Sequence, residues 1–416
     1  MTQKASAFFV FKGGFYMLTS LAFIFLVGLS FAAICQMIHL PRIIGMLLTG
    51  IILGPYVLDF LDPSILSISA ELRKMALIII LLKAGLSLNL KDLKQVGRPA
   101  VLMSFVPATF EIIGYVIFAP IILGISRVSA AVMGAVLAAV SPAVVVPRMV
   151  NLMEEKYGTD KSIPQLIMAG ASCDDIFVIV LFTTFLGMAQ GEGARIADFI
   201  NIPVSIVLGV ILGAIVGLML SLFFETAYAH KHCIRNSTKV IIVLGVSFVL
   251  VAIEGWLTDI VAVSGLLAVV SMACMLKVKC PASVSGRLSE KFGKLWIAAE
   301  VILFVLVGAA VDIRYMAKAG IYAVVMIFVA LIFRACGVVC CMIKTKLSFR
   351  ERLFCVMAYL PKATVQAAIG SIPLAAGLEC GQIVLSVAVL GIIITAPLGA
   401  FLMDISYKKL LTHEEL

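Results

Sequence analysis

Charge is scarce in this 416-residue chain: only 13% of its residues are Asp, Glu, Lys or Arg, against about a quarter in ordinary soluble domains. That shortage excludes a conventional soluble enzyme or binding domain, because too few polar side chains exist to cover one. Long polar stretches are missing too. The connections between apolar runs are short, which leaves no room for an extramembrane domain and argues against an ion sensor. Cysteine spacing suited to a metal or a disulfide framework is also lacking. The 10 cysteines lie mostly inside apolar runs, Cys336, Cys340 and Cys341 in "RACGVVCC" among them, and read as small apolar filler. The opening "MTQKASAFFVFKGGFYML" enters its apolar run without a small-residue cleavage site, so no removable signal peptide is expected.

What the chain has instead is hydrophobicity. It is 62% apolar with a mean hydropathy of +1.16, and apolar runs of about 18 or more residues recur from end to end. The fold expected is an all-α polytopic membrane protein of about thirteen spans. These are residues 15–37, 43–61, 74–90, 99–124, 128–153, 162–190, 202–224, 238–258, 260–277, 294–312, 319–343, 352–378 and 381–404. A net charge of +9 raises nucleic acid as a partner, but its placement argues otherwise. Of the 32 Lys and Arg, about 8 fall on one side of the expected membrane and about 20 on the other. That asymmetry puts the amino terminus outside and the carboxy terminus in the cytoplasm. The four remaining, Lys83, Arg148, Arg334 and Lys362, fall within spans. Lys83 and Arg148 lie near span ends and read as cytoplasmic anchors.

An internal repeat crosses this pattern. "IIILLKAGLSLNL" in the third span resembles "VILFVLVGAAVDI" in the tenth, while "LAAVSPAVVVP" in the fifth pairs with "AYLPKATVQAAIG" in the twelfth. Glu111 in the fourth pairs with Arg334 in the eleventh. The offset is seven spans each time, and an odd offset makes the two halves antiparallel. Two inverted repeats, each with a discontinuous helix, predict a secondary transporter whose site lies where the breaks cross at mid-membrane. Pro142 and Pro361 mark the breaks, since each removes a backbone donor and clashes with the preceding turn. Ser141, Lys362 and Thr364 flank them.

Asp174 and Asp175, in "MAGASCDDIFVIVLF", sit inside an apolar run long enough to cross a membrane. One Asp at such a depth costs about 2.5–3.5 kcal/mol on insertion scales, and no structural role needs two side by side. Adjacent buried carboxylates titrate as a coupled pair, and a hard monovalent cation needs them ionised. Proton and cation then compete for one site, and a site open to one side at a time converts that competition into exchange. On a helix the two side chains project about 100° apart, so one can face the crossing point while the other faces a neighbouring helix. Ser141 and Thr364 join them as candidate cation- or proton-binding residues. Glu111 and Arg334 are expected to form a buried ion pair across the repeat axis. Lys362 is expected to offset the carbonyl ends of the broken helices or to neutralise the aspartates. Glu300, at the start of the apolar part of the tenth span, lines a vestibule or sits at the interface.

"GAVLAAVSPAVVVPRM", "IPQLIMAGASCDDI", "LPKATVQAAIGS" and "ITAPLGAFL" resemble the sodium/proton antiporters of the NHA type, within the monovalent cation/proton antiporter superfamily. "LPRIIGMLLTGIILGP" is similar to that superfamily's early glycine-rich helix, and the likeness covers nearly the whole chain. It implies a homodimer with an elevator-like transporting core and no cofactor besides the transported Na+ or Li+ and H+. Residues 1–98 and 238–312 would form the dimerisation panel, 99–190 and 313–416 the core, and 191–237 a linker helix. It also implies that Asp175 is the principal cation ligand with Asp174 its partner, that Glu111 and Arg334 are the clade's ion pair, and that Lys362 is its lysine at the helix break. Many Asp-Asp members carry a lysine where Arg334 stands. Arginine does not release its proton, so it cannot serve as a second proton carrier. The rival expectations are a K+/H+ antiporter, a sodium-coupled solute symporter on a similar fold and an ion-responsive channel. The residues alone leave Na+, Li+ and K+ open, and a plasma membrane is the expected location.

Overall fold

Small residues recur every four positions along the first apolar stretch, where Ser20, Gly28 and Ala32 are buried together with Ile24. Spacing of that kind lets helix backbones approach closely in a membrane. The computed structural model describes residues 17–38, 40–87, 97–190, 196–229, 235–257 and 263–413; the amino-terminal segment on which the signal-peptide expectation falls, and Cys233, lie outside them. The described residues form helices with one isolated bridge between Tyr157 and His413. In chain order they are α1 (Met17–Met37), α2 (Arg42–Leu53), α3 (Pro63–Ser67), α4 (Ser69–Ser87), α5 (Arg98–Met103), α6 (Val106–Leu123), α7 (Arg127–Ala138), α8 (Pro142–Glu154) and α9 (Ile163–Ala189). There follow α10 (Ile196–Ala229), α11 (Asn236–Leu257), α12 (Gly265–Lys279), α13 (Ala282–Ala309), α14 (Ile313–Cys341), α15 (Phe349–Ala358), α16 (Thr364–Ile369), α17 (Ile372–Ala375) and α18 (Gly381–Leu410).

Counting α5–α6 and α7–α8 each as one path, nine helices among the described residues are long and apolar enough to cross a membrane. The other four expected spans fall on α2, α4, α12 and the α15–α17 series, which are shorter, more charged or broken. Two boundaries differ most from the hydropathy reading. The second span stops at Leu53, because Gly54 adopts an extended conformation. The tenth begins twelve residues early in the polar "ASVSGRLSEKFGK", which is helical because Ser285, Leu288 and Phe292 bury one face of it. The nine described cysteines are unpaired.

The helices pack as two groups. One holds α1, α2, α4 and α10–α13, and the other holds α5–α9 and α14–α18. Within the first, α2 and α13 cross at Gly50 and Gly308, where an added Cβ on either would strike the other helix's backbone. In the second, α6 lies along α14. Gly114 abuts the Phe333 ring, and Gly337 faces Pro107. On α6, Pro107, Glu111 and Gly114 share a face at helical spacing, as do Arg334 and Gly337 on α14. This close seam turns Glu111 and Arg334 toward each other.

Candidate cation-binding site

Both expected breaks are present. α7 ends at Ala138, the chain runs extended through Ala139 and Ser141, and α8 restarts with Pro142 at its first position, where a missing N–H is harmless. α15 begins on a capping box of Ser348 and Glu351 and ends before Tyr359, and Pro361 and Lys362 lie in the link to α16. The two links cross, with Ser141 N donating to Pro361 O at 2.8 Å. Proline alone does not make these breaks. Pro120, Pro147 and Pro397 are carried inside α6, α8 and α18.

Side-chain donors at the breaks account for the difference. A helix that stops leaves its last carbonyls without partners, and in hydrocarbon they must be satisfied by protein or by a cavity. At the end of α7 three donors, from α14, from α16 and from the link before α16, meet three successive carbonyls. Lys362 Nζ donates to Leu137 O at 2.5 Å, Arg334 Nη1 to Ala138 O and Gln366 Nε2 to Ala139 O at 2.8 Å. Beside the other break, Arg334 Nε donates to Tyr359 O at 2.5 Å. Thr395 of α18 receives Lys362 N at 3.0 Å.

These same cations join the carboxylates into one buried chain. Lys362 Nζ lies 2.7 Å from Glu111 Oε1. Arg334 Nη1 lies 2.8 Å from Glu111 Oε2, and Arg334 Nη2 lies 3.2 Å from Asp174 Oδ2. Asp174 Oδ2 also receives the Val140 N–H at 2.8 Å. Glu111, Arg334, Lys362 and Asp174 are wholly buried, and Asp175, the next residue on α9, is 6% exposed. Two cations against three ionised carboxylates leave one negative charge.

The buried oxygens without a hydrogen-bond partner include Asp174 Oδ1, Asp175 Oδ1, Ser141 Oγ and Thr364 Oγ1. An unsatisfied buried oxygen is costly. Carboxylate and hydroxyl oxygens are the donor set a hard cation takes. Among the described residues no group of three or more His, Cys, Asp or Glu gathers as a metal centre would.

Lys362 thus has Glu111 and a helix-end carbonyl as its partners, whereas Arg334 is the cation that touches an aspartate. That second contact went unread in the sequence. Gln366 and Thr395 also went unread. Glu300, partly buried in α13, stands outside this chain of contacts, with the charges of Arg42 and Lys83 within electrostatic reach. Arg148 holds Asp404 with two nitrogens, at 2.8 and 3.0 Å.

A family model described as "Sodium/hydrogen exchanger, transmembrane" matches residues 21–404. Sodium/hydrogen exchanger 9B2 of Xenopus tropicalis is 32% identical over 356 residues, covering 83% of this chain and 65% of that protein. The Homo sapiens protein of the same name is 31% identical over 387 residues, covering 90% and 71%. The chain therefore spans about two thirds of the length of these relatives. The structure of the sodium proton antiporter MjNhaP1 from Methanocaldococcus jannaschii superimposes with a TM-score of 0.81 over 95% of this chain and 98% of that one, at 20% identity. At that identity the likeness is one of fold.

Proposed function

Because this chain belongs to the sodium/hydrogen exchanger family, we propose that it is a secondary antiporter exchanging Na+ or Li+ for H+ at Asp174 and Asp175. The observation that carries the reading is the buried charge count. With Arg334 and Lys362 charged, their pairs with Glu111 and Asp174 balance, and Asp175, buried beside them, adds one negative charge in excess when it is ionised. A single cation neutralises it, and so does a single proton. An uncompensated charge is expensive in a low-dielectric interior, so only the loaded forms cross, and a carrier that must return loaded exchanges one cargo for the other. Oxygens of Asp174, Asp175, Ser141 and Thr364 supply the cation's ligands. Arg334 keeps its proton, so the exchange is one cation for one proton and carries no net charge.

Alternating access is proposed to be elevator-like. Residues 99–190 and 313–416 move as the core against a panel formed by 1–98 and 238–312, with 191–237 linking them and the panel pairing two copies of the chain. The dense packing within each helix group and the sparser packing between them support this. So does the apolar seam between them. There Ile179 and Val180 of α9 meet Leu81 of α4 and Leu266, Leu267 and Val270 of α12 around a small cavity. Apolar contacts lack the directional bonds that would resist sliding. The membrane is proposed to be the plasma membrane, with the carboxy terminus in the cytoplasm.

The test is exchange in everted vesicles and in proteoliposomes. Na+ or Li+ is expected to dequench a pH-gradient dye, at a rate that does not change when the membrane potential is clamped at different values. Asp175→Ala is expected to abolish the response. Normal dequenching in Asp175→Ala would remove the site assignment, and a rate that follows the imposed potential would remove the one-for-one stoichiometry.

A further inference from the structure

Ala139 and Val140 share one peptide group, and it is held at both ends. Its carbonyl oxygen accepts from Gln366 Nε2 at 2.8 Å, and its N–H donates to Asp174 Oδ2 at 2.8 Å. The group lies in the extended link between α7 and α8, where Ala139 has ψ 142°, so no helical ladder fixes its rotation. Gln366 is wholly buried on α16, and its Nε2 also reaches Leu137 O at 3.3 Å. Two carbonyl acceptors define which end of the amide faces the link, because only the NH2 end can donate.

Resting on the reading of Asp174 and Asp175 as the exchange site, we propose that Gln366 is its positioning residue: through the 139–140 peptide it orients the N–H that holds Asp174 Oδ2, leaving Oδ1 to the cargo. Hydrogen bonds in series through a peptide polarise one another, so the amide also strengthens the N–H that Asp174 receives. Partners of this kind, one step behind a ligand, set ligand orientation and affinity. Arg334 and Lys362 already supply donors to the Ala138 and Leu137 carbonyls. The contribution particular to Gln366 is therefore at Ala139, the one carbonyl whose own peptide N–H faces the site. Asp174 Oδ1 has no hydrogen-bond partner, as expected of an oxygen kept for the transported ion.

The experiment is Na+ and Li+ titration of exchange at fixed pH in proteoliposomes, for Gln366→Met and Gln366→Asn beside the wild-type chain and Asp175→Ala. Met keeps the length and volume but has no donor. Asn keeps the amide one methylene short of the carbonyl. Both are expected to raise the apparent KM for Na+ by about tenfold, with the maximal rate within about twofold of wild type. A residue that only fills space would behave differently, with Met normal and Asn impaired. A wild-type KM in Gln366→Met overturns the proposal. Should Gln366→Met fail to assemble, a wild-type KM in Gln366→Asn overturns it alone. Exchange that survives in Asp175→Ala would instead overturn the site itself, which separates the two failures.

Discussion

Lys362 Nζ lies 2.7 Å from Glu111 Oε1, with both side chains wholly buried, one in the link before α16 and the other in α6. Arg334 holds the other Glu111 oxygen at 2.8 Å, so one carboxylate is clamped between two cations. Removing one partner of a buried pair is costly because the remaining charge stays behind without compensation. The loss is typically about 3–5 kcal/mol.

Glu111→Gln is therefore expected to destabilise the protein by about 3–5 kcal/mol and to stop exchange. The cluster would then hold two cations against two aspartates, neutral without cargo and with no electrostatic demand for a cation. Adding Lys362→Met removes the surplus cation and returns the single negative charge. The double variant is expected to regain thermal stability over Glu111→Gln and to recover measurable Na+-driven dequenching. Melting temperature and vesicle exchange check both points. A double variant whose losses simply add would show that the charge count does not govern this site.

Much of this site was legible in the sequence because burying charge is expensive. Asp174, Asp175, Glu111, Arg334 and Lys362 stand out against apolar surroundings, and Pro142 and Pro361 mark where the helices stop. Pro120, Pro147 and Pro397 look the same on paper yet sit inside helices. A break needs partners for the freed carbonyls, and those come from residues 196 to 227 positions away. Gln366 was unread for the same reason. A lone amide in an apolar run names no partner until the two links cross. The early start of α13 escaped a hydropathy sum because its polar first turns bury only one face.

Lys161, in the link between α8 and α9, donates to both Glu351 oxygens at 2.8 and 2.9 Å. Glu351 also receives Ser348 N at 2.6 Å and caps α15. The hydrogen bond to Glu351 raises the Lys161 pKa above the ordinary lysine value. A group raised on folding contributes stability that is present in full below its unfolded pKa and is lost as pH climbs through the folded one. Lys161→Met is accordingly expected to lower the melting temperature by a similar amount from neutral to mildly alkaline pH. The difference should close only above about pH 10.4, the ordinary lysine value. Melting curves across that range check the sign, and a gap that closes near neutral pH would assign the contact no such role.

Cys173 precedes Asp174 on α9, and Cys274 on α12 lies within its electrostatic reach. The two thiols thus flank the seam between the helix groups. The apolar contacts of Ile179 and Val180 with Leu266, Leu267 and Val270 lie nearby along the same two helices. If α9 travels with a sliding core, a covalent bridge to α12 must arrest exchange. If access instead alternates through local gates, the same bridge leaves it running. In a variant retaining only these two cysteines, a short reducible thiol cross-linker is expected to bring exchange to background, with recovery on reduction. Variants with either cysteine alone, treated with a monofunctional reagent of the same chemistry, are expected to keep transporting, because modification without bridging leaves the core free. Continued exchange by protein shown to be cross-linked would rule out the sliding core and leave the charge competition at Asp174 and Asp175 to operate within a fixed scaffold.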